Sequence, residues 1–153
     1  MANIENDGMI NAVVDGVAEA LVLEFPANEG YQVYIGDVPQ DFEPKSFIVT
    51  NVTASKERKN ACTSVYTEII TVQYHPEGGE IELNSVKSRL IECLEIINVY
   101  NGRSVKPTRT SHRDSAVVDG ILTYMISVSD VYYEPPQGDN MTSASTQIGA
   151  TDE

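Results

Sequence analysis

His75, His112, Cys62 and Cys93 are the side chains of this 153-residue sequence best suited to nucleophilic or metal-assisted chemistry. A thiol beside an imidazole can act as a nucleophile–base pair, and imidazoles with thiolates or carboxylates can hold a metal ion. The spacing supports neither. No HExxH or CxxC motif and no compact His–carboxylate set surrounds either histidine. Cys93 falls on the apolar stripe of a helical segment, where a packed, inert thiol is the simpler reading. The glycines form no phosphate cradle, because Gly78-Gly79 runs into Glu80, which repels an anion. Glu77, Glu80 and Glu82 share a loop, and Glu92 and Glu95 share an exposed helical face. None of these has the opposed environments that an acid–base pair needs. The sequence points away from an enzyme: no catalytic, metal-binding or cofactor-binding residue is assigned, and no cofactor is called for.

The charge is far more informative. Twenty-three acids against ten bases give a formal net charge of −13, which repels phosphate backbones and argues against a sequence-reading nucleic-acid binder. Residues 1–44 carry nine acids and no base, residues 45–113 hold all ten bases with seven acids, and residues 114–153 carry seven acids and no base. Within the middle segment the bases gather in two runs, Lys56, Arg58 and Lys59, then Arg103, Lys106, Arg109 and Arg113. If the fold keeps the acidic and basic parts apart, copies can attract one another despite their like net charge. The run 56–59 is as compatible with a solvated loop as with an interface. Two cysteines are too few for a disulfide scaffold and fit synthesis in a reducing cytosol. No apolar run approaches the ~20 residues of a membrane span, and the acidic MANIENDG start is unlike a secretory signal.

These residues must be positioned by ordinary globular elements, since 41% of the chain is hydrophobic and its length suits one domain. Met9, Ile10, Val13, Val14, Val17, Leu21, Val22 and Phe25 recur at helical spacing, with Asn6 and Asp7 as capping side chains and Pro26 as the stop. Gly16 inside this helix costs about 1 kcal/mol relative to Ala. Tyr31–Ile35, Phe47–Thr53 and Thr63–Tyr74 read as strands, the first two separated by the Pro-containing acidic loop 36–44. The basic run 56–59 falls at the tip of the hairpin joining the last two. Leu83–Tyr100 returns to helical periodicity through Val86, Leu90, Cys93, Leu94 and Ile97, with Asn84 or Ser85 as cap and Asn101-Gly102 as stop. Asp119-Gly120 between apolar runs predicts a type I′ hairpin, whose outgoing strand continues from Ile121 to about Tyr133.

The order α-β-β-β-α-β-β predicts an α+β two-layer sandwich: about five mostly antiparallel strands with two helices on one face. The other face carries Thr, Ser, Gln and Tyr and meets water or a neighbour. Tyr66, Tyr74 and Tyr124 fit either cross-strand packing or a tyrosine-rich contact surface. Residues 1–8 form an N-terminal arm and 9–133 the domain. Residues 134–153, rich in Ser, Thr, Gly, Asn and Gln, form a polar tail expected to be disordered unless a partner orders it.

In this order of elements the chain resembles the tail terminator family of long-tailed bacteriophages and phage-tail-like particles. The resemblance lies in Met9-Ile10-Asn11-Ala12-Val13 opening a helix that ends near Phe25-Pro26, the strand Tyr31–Ile35, and Ser46-Phe47-Ile48-Val49. It continues in Tyr66–Pro76, which looks like the family's central strand leaving into a Pro turn, and in Val118–Tyr124, which looks like its closing hairpin. The similarity covers roughly residues 9–133 and leaves the tail outside. It implies a structural virion protein, made and assembled in the bacterial host cytoplasm, that forms a ring, expected to be a hexamer. Such a ring caps the head-proximal end of the tail tube, stops polymerisation, holds the last sheath ring where the tail contracts, and docks the neck. The implied partners are further copies of the chain, the tail tube protein, the sheath protein and a neck or head–tail connector protein. The resemblance also implies a lumen through which DNA passes, an acidic lining letting it slide without sequence-specific binding, and no membrane partner. Lys56, Arg58, Lys59, Arg103, Lys106, Arg109 and Arg113 are the candidate subunit or tube interface. A head-closure or neck adaptor of the same particle is the alternative, followed by a small cytosolic ligand-binding domain or enzyme using loop 36–44.

Overall fold

The computed structural model describes the backbone of residues 4–133 and the side chains from Met9 onward. Helix α1 (Ile4–Glu24) is followed by a short 3-10 turn (Ala27–Glu29) and by strands β1 (Gln32–Ile35), β2 (Ser46–Arg58) and β3 (Thr63–His75). Helix α2 (Glu80–Cys93) and strands β4 (Ile96–Tyr100), β5 (Val105–Arg109), β6 (Ser111–Val118) and β7 (Ile121–Tyr133) complete the order. The α+β class holds. Five strands form one sheet in the order β1-β2-β3-β7-β6, antiparallel throughout except for the parallel β1–β2 pair, and β4–β5 form a separate hairpin.

Alternation along the long strands decides the layers. Phe47 and Val49, Ile70, Val72 and Tyr74, and Leu122, Tyr124, Ile126 and Val128 all point to one face and are buried. Against that face lie α1, through Met9, Val13, Val17, Leu21 and Phe25, and α2, through Leu83, Val86 and Leu90. The opposite face presents Thr50, Gln73, Thr123, Ser127 and Ser129. At one end Phe25, Tyr31, Phe47 and Tyr74 cluster, with neighbouring rings 4.6–6.4 Å apart. Arg89 of α2 ties this cluster to the end of α1. Its guanidinium lies 4.2 Å from the Phe25 ring, its Nε donates to Glu24 Oε2 at 2.9 Å, and its Nη2 donates to the Glu24 carbonyl at 2.6 Å. A cation on a terminal carbonyl is a favourable helix ending.

Several expectations need correction. α1 begins at Ile4, so Asn6 and Asp7 lie within the helix and do not cap it. Its stripe is wider than expected. Ala12, Gly16 and Ala18 are buried as well, because β4 packs along a second side of the helix, while Ile10 and Val22 are exposed. Gly16 is what lets β4 approach, since a Cβ there would lie 2.4 Å from the Asn98 carbonyl oxygen.

The second helix stops at Cys93, and what the periodicity extends to Tyr100 is strand β4. Ile97 and Val99 are buried while Ile96 and Asn98 face outward, a period of two that coincides with the helical stripe only at Ile97. Asn101-Gly102 is accordingly the turn of the β4–β5 hairpin. Asn101 Oδ1 accepts from the Arg103 and Ser104 amides at 3.0 Å, and Gly102 takes φ +95°. Asn84 and Ser85 are interior to α2, whose N-cap is Gly79. Glu82, three residues on, reaches back past the cap and accepts from the Glu77 and Gly78 amides, which fixes the entry to the helix. The Asp119-Gly120 turn forms as expected, with φ +54° and +77°. Residues 1–3 of the arm and the whole polar tail 134–153 lie outside the described residues.

Candidate functional site

The fold sorts charge along the strand direction. β2 ends, β3 begins and β7 ends at one edge of the main sheet, because Arg58 pairs with Ser64 and Thr63 with Tyr133. Lys56 and Arg58 stand on the last rungs of β2, and Lys59 follows in the turn, paired with Glu57 at 3.1 Å. The β4–β5 hairpin folds over the same end. Lys106 Nζ lies 3.3 Å from Asp130 Oδ1, Thr108 Oγ1 donates to Asp130 Oδ2 at 3.0 Å, and the Arg103 guanidinium sits 4.1 Å from the Tyr133 ring. Asp130 shares a rung with Tyr66, which shares one with Lys56, whose Nζ is 5.6 Å from the Tyr66 ring. Lys56, Arg58, Lys59, Arg103 and Lys106, from two distant parts of the sequence, therefore form one basic end.

Arg109 and Arg113 do not join it. Arg109 pairs with Glu95 at 3.1 Å at the far end of β5, and Arg113 sits at the bulge of β6. At the opposite end of the sheet, Glu43 precedes β2, Glu77 and Glu80 follow β3, and Asp119 turns into β7. Thirteen residues at about 3.4 Å each place the two ends roughly 40 Å apart. A body with poles of opposite charge recognises other macromolecules by orientation, through contacts that weaken with salt.

The residues suited to chemistry are not assembled for it. Cys62 lies in the turn at the basic end, whereas His75 closes β3 at the acidic end with its ring against Phe42. Burial lowers the His75 pKa. His112 stacks on Tyr124 with ring centroids 4.9 Å apart. Burial pushes the Cys93 thiol up to about 12, so it holds its proton at neutral pH. Burial raises the Glu82 carboxyl, but hydrogen bonds from Tyr74 and from the Glu77 and Gly78 amides outweigh it and hold the pKa low, as a structural carboxylate requires. Among the described residues no group of three or more His, Cys, Asp or Glu is placed to hold a metal ion, and no helix is long and apolar enough to cross a membrane.

Two features escaped the sequence reading. Glu68, on the helix-covered face of β3, is 1% exposed. Asn51 Nδ2 donates to its Oε1 at 3.0 Å, and its Oε2 has no hydrogen-bond partner. Burial raises its pKa to about 7, the Asn51 bond opposing. The second is an open groove of about 620 Å³ between α1 and β1, lined by Ala18, Val22, Leu23, Val33 and Ile35 with Asp15 and Glu19. Leu23 at its lip is 77% exposed. Helical spacing gave a signal for Val22 but none for Leu23, which lies off the stripe.

Charged poles and open apolar flanks are the surface features of this fold that suit contacts with other macromolecules. A family model of phage tail terminator proteins matches residues 12–140, and the chain belongs to that family. The family is a structural one of the virion tail, and its members work against other tail proteins. A search of the curated proteins finds no match.

Proposed function

We propose that the protein assembles as a ring, a hexamer, on the head-proximal end of the tail tube, where it ends polymerisation and presents a surface to the neck. In a contractile tail the same ring holds the last sheath layer. The observation that carries this reading is the match to phage tail terminator proteins over most of the chain. The separation of charge supports it, because a plug between two different structures needs two different ends. The basic end, Lys56, Arg58, Lys59, Arg103 and Lys106, makes the axial contact with an acidic rim of the tube. Arg109 and Arg113 belong to the sides of the body, where copies meet. Assembly takes place in the host cytoplasm, and the open acidic pole keeps DNA from adhering as it passes.

Removal of the protein tests the reading: tails then grow to uncontrolled length. Normal tails lacking heads would assign it to the neck instead. Reversing Lys56, Arg58 and Lys59 to Glu, all exposed, leaves the circular dichroism unchanged and abolishes capping. Normal tail length in that variant would refute the role given to the basic end.

A further inference from the structure

The two edges of the main sheet are unpaired among the described residues, and they end the same rows of side chains. Register runs unbroken from Val33 through Phe47, Tyr74 and Leu122 to Val117, and from Ile35 through Val49, Val72 and Tyr124 to Ser115. β1 runs parallel to β2 while β6 runs antiparallel to β7, so β6 of one copy would lie antiparallel beside β1 of another. Unpaired edges of this kind are templates for strand pairing, which proteins normally blunt or use.

Each edge carries exposed apolar residues above it. Over β1 is the groove with Val22, Leu23 and Ile35 and the acids Asp15 and Glu19. Over β6, Val117 is 54% exposed beside Asn84 of α2. On the same stripe of α2 as Asn84, at i+3 and i+7, stand Lys87 and the exposed Ile91, and Arg113 lies on the strand below. One flank is apolar and acidic; the other is apolar and of mixed charge, with Lys87 and Arg113 standing alongside Glu80 and Asp114.

From these observations we infer that the β6–α2 flank of one copy seats on the β1–α1 flank of the next, joining the two sheets edge to edge with Val117 beside Val33. Such a contact is heterologous, using different surfaces on the two copies, and it closes into a ring when the rotation per copy divides a full turn. The inference rests on the proposed ring and specifies its lateral contact, leaving the charged poles for axial partners.

Cysteines on one shared row test it. Ile35→Cys and Ser115→Cys are combined with Cys62→Ser, the variant is assembled into tails, and the tails are oxidised. Four strand spacings of about 4.8 Å separate the two positions within a copy, too far for an internal disulfide, whereas directly paired strands bring them within bonding range. A ladder of disulfide-linked multiples on non-reducing gels, absent from either single variant, is expected. Leu23→Asp, at an exposed position, is expected to remain folded by circular dichroism and to lose the ring from the tail end. Capped tails of normal length whose oxidised protein stays monomeric, or rings that persist with Leu23→Asp, would overturn the lateral contact while the ring reading stands. Wild-type tails carrying no ring of this protein would overturn both.

Discussion

Glu68→Gln separates the cost of a buried carboxylate from every other charge in this acidic chain. The fold raises the Glu68 carboxyl from 4.5 to about 7, chiefly by burial, so the native state holds a proton that the unfolded chain releases. Stability contributed by this group is complete below pH 4.5 and is lost as pH rises through about 7. At about 1.4 kcal/mol per pH unit between the two values, the loss approaches about 3 kcal/mol by pH 8. Glutamine keeps an acceptor for Asn51 Nδ2 but does not titrate, and its amide nitrogen, placed where Oε2 has no partner, costs about 1 kcal/mol at every pH. The variant should therefore be slightly less stable than the parent at pH 4.5 and about 2 kcal/mol more stable at pH 8. Urea unfolding of both proteins at half-unit steps between these limits measures the difference directly, because repulsion among the other acids is common to both and cancels. Curves that stay parallel across this range would refute the reasoning.

Gly16→Ala forces a methyl group against the Asn98 carbonyl, 2.4 Å from the ideal Cβ position, and should destabilise by about 1–3 kcal/mol in thermal unfolding, where an intrinsically better helix former would otherwise stabilise. Gly120→Ala, at φ +77°, meets no crowding but strains the backbone, with an expected loss of about 1 kcal/mol in urea denaturation. Arg89→Met removes the guanidinium from the Phe25 ring and releases both the carboxylate and the carbonyl of Glu24 at the end of α1. A loss of about 1–3 kcal/mol is expected, with faster amide exchange confined to the helix end.

The elements with strong local signals were legible in the sequence. Asp119-Gly120 has chemistry suited to one turn type, Thr63–Tyr74 is rich in β-branched residues that favour a strand, and the α1 stripe is long enough to be unambiguous. β4 was not legible, because Leu90, Leu94 and Ile97 satisfy helical spacing while Ile97 and Val99 satisfy strand spacing. What decides between them is tertiary: the edge of α1 at Gly16 offers a bed for an extended chain. The basic residues were legible as two runs but not as one pole. Lys106 reaches Lys56 only through Asp130 and Tyr66, a link made by β7 packing beneath the β4–β5 hairpin. Glu68 gave no signal at all, since a lone carboxylate in a β-branched run reads as an outward-facing residue until the register places it inward.

Averaged electron cryo-microscopy of intact tails shows where on the tail the protein sits. A single ring of six copies is expected at the head-proximal rim of the tube, with Lys56, Arg58 and Lys59 turned toward the tube. Density for the protein at the distal tip, along the shaft, or nowhere on the tail would contradict it.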